Sequence, residues 1–305
     1  MRVQRHPPEE QPVPPGCGGA HVSALLLPGA SAPPREVVAR LGRLAVASLH
    51  AELALAPKPG LVTPFDSGSH ADMDAETFLR SLSALRQYFH DVALAGAQDA
   101  PFAQLRTHGV AAEAAMLRAT GGINTHRGAI FNLGLLVAAA AACRRIDAAP
   151  SGEQVCVAVQ AWSDALQAAP LDPDSPGQRA RAQHGIAGVR ELAAAGYPVL
   201  RTLALPTLRH ALAAGLAREA ALCHTLMTLV AELEDVNLLH RGGAGGLRWA
   251  RANAAAFLAN GGAFAPDWHA HLQRLGNAFV ARRLSPGGSA DLLACSWFLL
   301  QQEAS

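Results

Sequence analysis

Three glycine-rich segments of the chain carry polar or cationic side chains next to predicted helix starts: residues 121–128, 242–246 and 285–291. A helix start leaves backbone N–H groups unpaired and carries partial positive charge, so it favours a bound anion. Lys58, Arg127 and Arg241 add cations to this pattern, which suggests a site for a polyphosphate ligand. The chain contains neither GxxxxGK[ST] nor GxGxxG. The alternative interpretation therefore remains that these glycines only mark the starts and ends of helices.

Carboxylates accompany these segments, and they are Asp66, Asp72, Asp74, Glu113, Asp235 and Asp291. Phosphates beside carboxylates imply Mg²⁺, which prefers oxygen ligands, and we take Asp72 and Asp235 as the candidate metal ligands. His70 next to Asp72 could instead belong to a transition-metal site, although no second histidine motif supports this. Glu113 lies among small apolar residues and is equally compatible with a surface position and with a buried, paired carboxylate.

Composition limits the classes of function. Lys58 is the only lysine in a chain with 25 lysines and arginines together, and a compact ammonium is not interchangeable with a guanidinium at a specific contact. The net charge of +1 argues against nucleic acid as the main partner. Five scattered cysteines without a CxxC pair indicate a reducing, cytoplasmic location and no thiolate metal site.

The elements that must position these residues are helices. Alanine and leucine dominate while β-branched residues are sparse, which predicts an all-α fold, a single compact domain of roughly ten or more helices over residues 35–305. Residues 1–34, rich in proline and glycine, are expected to form a flexible tail without a signal peptide. The run Ala129–Cys143 is shorter than a bilayer span, so we expect a buried core helix and no membrane partner.

Helical periodicity and breakers place the individual elements. The long polar loop 57–73 is expected to be functional. Asp72 or Asp74 should cap the helix after it, Asn124 or Thr125 the helix after the first glycine turn, and Ser289 the last helix, with Asp291 in its first turn. The helices are predicted at 35–56, 74–94, 102–119, 129–146, 153–169, 178–195, 202–216, 218–233, 247–258, 268–279 and 292–300, with a linker at 170–177.

Several co-linear blocks resemble those of a known family, the triphosphoribosyl-dephospho-CoA synthases. They are Pro57–Val62, Gly68–Met73, Gly122–Gly128, Arg241–Gly243 with the preceding Asp235 and Asn237, and Ser285–Asp291. The resemblance extends from about Leu44 to the C-terminus. Two departures are that Arg127 stands where some members have lysine, and that Val236 stands where a threonine is common.

The resemblance implies a reaction. Members join ATP, as a substrate, to 3′-dephospho-CoA, release adenine and leave a 5-triphosphoribosyl group on the ribose 2′-hydroxyl. The product goes to a holo-acyl-carrier-protein transferase pathway that serves citrate lyase or malonate decarboxylase. Residues 66–70 and 237–241 are more similar to the malonate decarboxylase branch. A helical metal-dependent nucleotide phosphohydrolase and a non-catalytic helical scaffold remain the alternatives, and the oligomeric state is open.

The residues of the matched blocks, together with Glu113, are the candidates for individual roles. Candidate catalytic residues, which handle protons or stabilise charge, are Asp72, Asp235, His70, His126 and Glu113. Candidate ATP-binding residues are Lys58, Asn124, Thr125, Arg127, Gly128, Asn237, Arg241, Gly242, Gly243, Ser285, Gly287, Gly288, Ser289 and Asp291. If the interpretation is correct, Lys58, His126, Arg241 and Ser289 should converge on one nucleotide pocket although they lie far apart along the chain.

Overall fold

Helices joined by loops account for residues 32–169, 185–186 and 188–304, which are the residues that this computed structural model describes. No β-strand occurs among them, and they form a single domain, so the predicted all-α class is confirmed. The predicted tail lies almost wholly outside the described residues, as does the predicted linker at 170–177.

The α-helices of the described segments are numbered in chain order. They are α1 Arg35–Ala54, α2 Ala75–Ala97, α3 Phe102–Thr120, α4 Arg127–Cys143, α5 Gly152–Ala158, α6 Ser163–Ala168, α7 Val189–Ala194, α8 Leu205–Ala213, α9 Arg218–Glu232, α10 Val236–Ala259, α11 Trp268–Ala281 and α12 Gly287–Glu303. Short 3₁₀ turns cover Val159–Trp162 and Gly262–Phe264, and a π-helical turn at Leu200–Ala204 precedes α8.

The alanine-rich helix α4 lies at the centre of the core. Most of its residues are buried, and it packs against α1, α2, α3, α5 and α12. Small side chains allow neighbouring backbones to approach closely, which explains why a run of alanines can be the central element. The expectation of a buried core helix is confirmed, and no helix in the described segments is long and apolar enough to cross a bilayer.

Gly96 marks a close approach between the backbones of α2 and α4. A Cβ atom added there would lie 2.0 Å from the carbonyl oxygen of Ala138, which is backbone and cannot move aside. We therefore expect Gly96→Ala to lower the free energy of unfolding by about 2–3 kcal/mol through overpacking. Gly109→Ala in α3, where nothing lies within 4 Å, is the matched control and should raise it by about 0.5–1 kcal/mol. Urea denaturation of both variants tests this, and equal stabilities would contradict it.

Several predicted boundaries are confirmed. The first helix ends before Pro57, and Asp74 rather than Asp72 caps α2, accepting a 2.9 Å hydrogen bond from the N–H of Thr77. At α4 the predicted cap is wrong, because the residue before the helix is His126 and its side chain makes no capping bond. The Asn124 side chain does accept from the N–H of Arg127 at 3.1 Å, whereas Thr125 makes no such bond. The helices predicted at 202–216 and 218–233 pack together as α8 and α9.

Other boundaries differ from the expectation. The helix predicted over 153–169 is divided into α5, a 3₁₀ turn and α6. Of the helix predicted over 178–195, residues 178–184 and 187 lie outside the described residues, and α7 covers Val189–Ala194. The helix predicted from Leu247 already begins at Val236, because Asp235 caps it. Gly243, with φ +60° and ψ −170°, interrupts α10, so the glycines form a break inside a helix rather than a loop before one.

The start of the last helix is also different. It begins at Gly287, with Pro286 as the preceding residue, so Ser289 lies inside the helix and is not its cap. Asp291 consequently falls in the second turn of α12, where it has no helix-start N–H groups to accept from. The expected first-turn position of Asp291 is therefore wrong.

The far end of α12 is anchored by a set of buried polar contacts. The guanidinium of Arg144 donates to the side-chain and backbone oxygens of Gln302, at 2.6 and 2.5 Å. The amide of Gln302 donates to the carbonyl of Pro150 at 2.9 Å. Glu303 accepts from the N–H of Gly152 and from Arg209. These bonds join the end of α12 to the segment between α4 and α5, and to α8.

Candidate active site

A cavity of about 920 Å³ opens where the loop 57–74 and the starts of α4, α10 and α12 meet. This volume lies near the upper end of the roughly 300–1,000 Å³ found for small-molecule sites. Most of the predicted site residues line it: His70, Glu113, Asn124, Thr125, His126, Arg127, Gly128, Asp235, Asn237, Arg241, Ser285, Gly287, Gly288 and Asp291. Segments distant in sequence therefore do meet at one cavity.

Five predicted residues do not line the cavity. The Asp72 side chain is 61 % exposed and lies outside it, 3.8 Å from the His70 ring. Gly242 faces Leu284, whose Cδ2 would lie 2.4 Å from an added Cβ, and Gly243 is the break in α10. Lys58 and Ser289 are both buried behind the cavity wall.

The start of α4 presents a polar surface to the cavity. Arg127 forms an ion pair with Glu113 of α3, with 3.1 Å between Nε and Oε2. Both side chains are about one-third exposed, so Glu113 is paired, as one of the two alternatives expected, but it is not buried. The hydroxyl oxygen of Thr125 is buried and makes no hydrogen bond with the described residues. A cation, an amide and an unpartnered hydroxyl at a helix start suit an anionic ligand.

His126 is buried beside this surface. Its Nδ1 lies 2.7 Å from the hydroxyl of Ser81 on α2, and the ring packs edge-on against Phe78. Its Nε2 has no hydrogen-bond partner among the described residues. Burial, reinforced by the charge of Lys58, lowers the pKa of His126 to about 3, so the ring is neutral. The Ser81 hydroxyl has no other acceptor within the described chain, so it donates to Nδ1 and leaves the proton on Nε2.

We expect that in Ser81→Ala the His126 ring is no longer restricted to the Nε2–H tautomer. Without the hydroxyl, Nδ1 competes for the ring proton, and the Nε2–H donor is lost in part of the population. Turnover should fall about tenfold, the equivalent of one hydrogen bond. Two-dimensional ¹⁵N–¹H NMR of protein labelled at histidine reports the tautomer directly, with the His126 signal identified by its absence in His126→Gln.

Ser83→Ala is the matched control for this prediction, since Ser83 lies on the same helix but is exposed. It should change neither the His126 signal nor turnover. A Ser81→Ala protein that keeps a pure Nε2–H tautomer would show that another group orients the ring.

Asp235 connects the starts of two helices. Its Oδ1 accepts from the N–H groups of Asn237 and Leu238, at 2.9 and 3.4 Å, which caps α10. Its Oδ2 accepts from the N–H and the hydroxyl of Ser289, at 2.7 and 2.8 Å, which ties α12 to the same point. The residue is 1 % exposed. Burial raises the pKa of this carboxyl, and the bonds from Ser289, Asn237 and Leu238 oppose that shift.

These contacts argue against the metal site expected at Asp72 and Asp235. Mg²⁺ needs carboxylate lone pairs, and both oxygens of Asp235 are already engaged by N–H and O–H donors. Asp72 lies outside the cavity. Within the described segments no group of three or more His, Cys, Asp or Glu side chains is arranged to hold a metal ion. Asp72 and Asp235 therefore do not fit the metal site that was expected of them.

His70, Arg241 and Ser285 form a second polar cluster at the cavity wall. The guanidinium of Arg241 donates to His70 Nδ1 at 3.0 Å and to the backbone oxygens of Ser69 and Arg283. Since a guanidinium can only donate, the ring proton lies on Nε2, which donates to the Ser285 hydroxyl at 2.9 Å. Burial, followed by the Arg241 charge, lowers the pKa of His70 to about 4. His70 is therefore a neutral, fully bonded connector.

Lys58 binds a residue that the sequence analysis did not single out. Its Nζ donates to Oε1 and to the backbone oxygen of Glu52, both at 2.6 Å, and the two side chains are 1 % and 9 % exposed. Glu52 lines the cavity whereas Lys58 does not. The contact expected of Lys58 with phosphate is thus replaced by a contact with a carboxylate. The single lysine of the chain indicated a specific contact at this position. Its partner, a glutamate near the end of α1, carries no signal in the sequence that marks it as functional.

The fold and cavity together define a class: a helical, single-domain protein that gathers helix starts, cations and uncharged histidines around a cavity large enough for nucleotides. The family model described as CitG, ATP:dephospho-CoA triphosphoribosyl transferase, matches residues 38–305. The chain therefore belongs to this family of transferases, whose members use ATP as a substrate.

Curated relatives agree with this family. A protein of Vibrio cholerae serotype O1 is 39 % identical over 273 residues, covering 86 % of this chain and 87 % of the relative. Proteins of Acinetobacter calcoaceticus and Citrobacter koseri are each 38 % identical, over 87 % and 88 % of this chain and 91 % and 92 % of theirs. All three are named probable 2-(5''-triphosphoribosyl)-3'-dephosphocoenzyme-A synthase. No solved structure matches the chain.

Proposed function

We propose that this protein transfers the 5-triphosphoribosyl group of ATP to the ribose 2′-hydroxyl of 3′-dephospho-CoA and releases adenine. The observation that carries the proposal is the convergence of the family blocks, from four separate parts of the chain, on one cavity. That cavity is large enough to hold a donor and an acceptor side by side.

The triphosphate would bind at the start of α4. There the Arg127 guanidinium, the Asn124 amide and the Thr125 hydroxyl surround backbone N–H groups of a helix start, and the start of α12 at Gly287 and Gly288 faces the same space. The phosphate chain is not cleaved in this reaction. It serves to hold the ribose in place, so its binding energy is used for positioning.

Adenine would leave from the anomeric carbon as the acceptor hydroxyl approaches. The Nε2–H of His126 is a neutral donor and is suited to hydrogen-bond an acceptor atom of the nucleotide. Its low pKa means that it orients a ligand rather than supplying a proton. His70 holds Arg241 and Ser285 in place in the same neutral state.

We also propose that the product serves malonate decarboxylase rather than citrate lyase, because residues 66–70 and 237–241 resemble that branch. Deleting the gene should then abolish growth on malonate and leave citrate fermentation intact. The opposite pattern would assign the other branch.

We propose the cytoplasm as the compartment, since the four cysteines within the described segments are reduced and buried and would stay so there.

The proposed reaction is tested by chromatography of the products from ATP with and without 3′-dephospho-CoA. Adenine should appear in an amount equal to the joined product, and only when both substrates are present. A phosphohydrolase would release phosphate or pyrophosphate instead, and a scaffold would release neither. Release of phosphate or pyrophosphate from ATP without release of adenine would overturn the proposal.

A further inference from the structure

Two carboxylates on the cavity wall keep oxygen atoms that no group of the described residues engages. Glu52 uses Oε1 to bind Lys58, and no hydrogen bond to its Oε2 occurs within the described residues. Asp291 makes no hydrogen bond at all in the same part of the chain, although it lies in the interior of α12. Buried polar groups are normally satisfied, so carboxylates left open towards a cavity indicate a ligand.

The position of Glu52 is fixed by Lys58. The two 2.6 Å bonds hold both the backbone and the side chain of Glu52, and the ammonium compensates its charge. Because the pair is nearly excluded from solvent, Oε2 has little freedom except towards the cavity. Lys58 is thus a positioning residue for this carboxylate.

Asp291 stands against the start of α4. A Cβ atom at Gly128 would lie 2.0 Å from Asp291 Oδ2, so this carboxylate depends on a glycine for its place. Burial, with the negative charges of Glu52 and Asp235, raises the pKa of Asp291 well above its ordinary value. Two carboxylates with different electrostatic surroundings, one compensated by a cation and one crowded by negative charge, are the arrangement found where acid–base roles are divided.

An independent observation also indicates that this cavity binds a ligand. His126 is 3 % exposed, lines the cavity and leaves Nε2 without a partner in the described residues. The buried Thr125 hydroxyl is likewise unpartnered. These two atoms lie in the segment before α4, next to the glycine that makes room for Asp291.

We propose that Glu52 and Asp291 are the carboxylate pair that acts at the anomeric carbon of ATP, with Lys58 positioning Glu52. This inference rests on the proposed function. Displacement at an anomeric carbon develops oxocarbenium-like charge and is served by a pair of carboxylates. Glu52 stabilises that charge and forms no covalent bond.

Asp291 reacts in its neutral form and gives its proton to adenine as the electron pair of the C1′–N9 bond leaves with the base. The oxygen of the acceptor 2′-hydroxyl bonds to C1′ and releases its proton to water. Asp291 then takes up a proton from solvent, so the reaction balances without a further reactant.

The experiment measures adenine release by Asp291→Asn and by Glu52→Gln combined with Lys58→Met, which keeps the buried pair neutral. We expect kcat to fall about 100-fold or more for each, since acid–base and charge-stabilising groups contribute about 10²–10⁴ in rate. KM for both substrates should stay within about threefold, because the variants keep the shape of the cavity. Glu234→Gln, another cavity-lining carboxylate, is the control and should keep full activity.

A second measurement separates catalysis from structure. Asp291→Asn replaces a carboxyl whose charged form its surroundings disfavour with a neutral group of the same shape, so the melting temperature of this variant should equal or exceed that of the wild type. A marked fall in melting temperature would make Asp291 a structural residue and overturn the proposal. Retention of more than a tenth of wild-type kcat by either variant would also overturn it. A wild-type protein that releases no adenine would instead refute the proposed function itself.

Discussion

Asp235→Ala is expected to lower the free energy of unfolding by about 3–4 kcal/mol, because one carboxylate serves four donors. The substitution leaves the N–H groups of Asn237, Leu238 and Ser289 and the Ser289 hydroxyl without their acceptor. Orphaned buried donors are among the few causes of such large effects. Urea denaturation followed by circular dichroism measures the change.

The free energy of unfolding of Asp235→Asn should lie between those of Asp235→Ala and the wild type, since an amide offers one acceptor oxygen in place of two. Asp74→Asn is the matched control: Asp74 caps α2 at the surface, and asparagine caps a helix as well as aspartate, so little change is expected. Because Asp235 acts as a joint between helices, the folded fraction of Asp235→Asn should still release adenine. Full stability combined with lost adenine release would restore Asp235 as a candidate catalytic base.

Lys58→Met is the second large effect that we expect. It leaves the Glu52 carboxylate 9 % exposed and without its cation, and breaking a buried ion pair from one side destabilises by about 3–5 kcal/mol. The variant should also lose adenine release, because Glu52 is no longer held towards the cavity. Melting curves and product chromatography on the same preparation measure both effects.

A double-mutant cycle tests whether the loss comes from the pair. Adding Glu52→Gln to Lys58→Met removes the uncompensated charge and should recover most of the stability while activity stays low. Arg80→Met is the control: Arg80 and Glu76 form an exposed ion pair on α2, and its loss should change stability by no more than about 0.5 kcal/mol. A double variant as unstable as Lys58→Met would show that the lysine acts through other contacts.

Local rules predicted much of the fold. The proline after α1 and the aspartate before α2 mark boundaries through groups only a few residues away, and those boundaries were predicted correctly. The start of α12 was not, because Ser289 was assigned to the nearest helix start. In the structure its hydroxyl donates instead to Asp235, which lies 54 residues earlier. Contacts of that range leave no periodic signal in the sequence.

The same limit explains the site. Glycine-rich segments and cations indicated most of the parts of the chain that meet at the cavity. Of the four residues expected to converge there, His126 and Arg241 line it, whereas Lys58 and Ser289 do not. The roles inside it depend on partners that only the fold brings together. Ser81 looks like an ordinary serine on α2, yet it sets the tautomer of His126 from 45 residues away. Glu52 lies only six residues from Lys58, but its sequence context is that of a solvated helix end.

The anchoring of α12 at both ends has a consequence for the site. The helix spans about 25 Å from Gly287 to Glu303, at 1.5 Å per residue. Its first turn forms part of the cavity wall, and its last turn is clasped by Arg144 and Arg209. We therefore expect that removing the hydrogen bonds at the end of α12 would shift its first turn and, with it, the cavity wall. Substitutions at these two arginines are therefore expected to change turnover, although neither side chain lines the cavity.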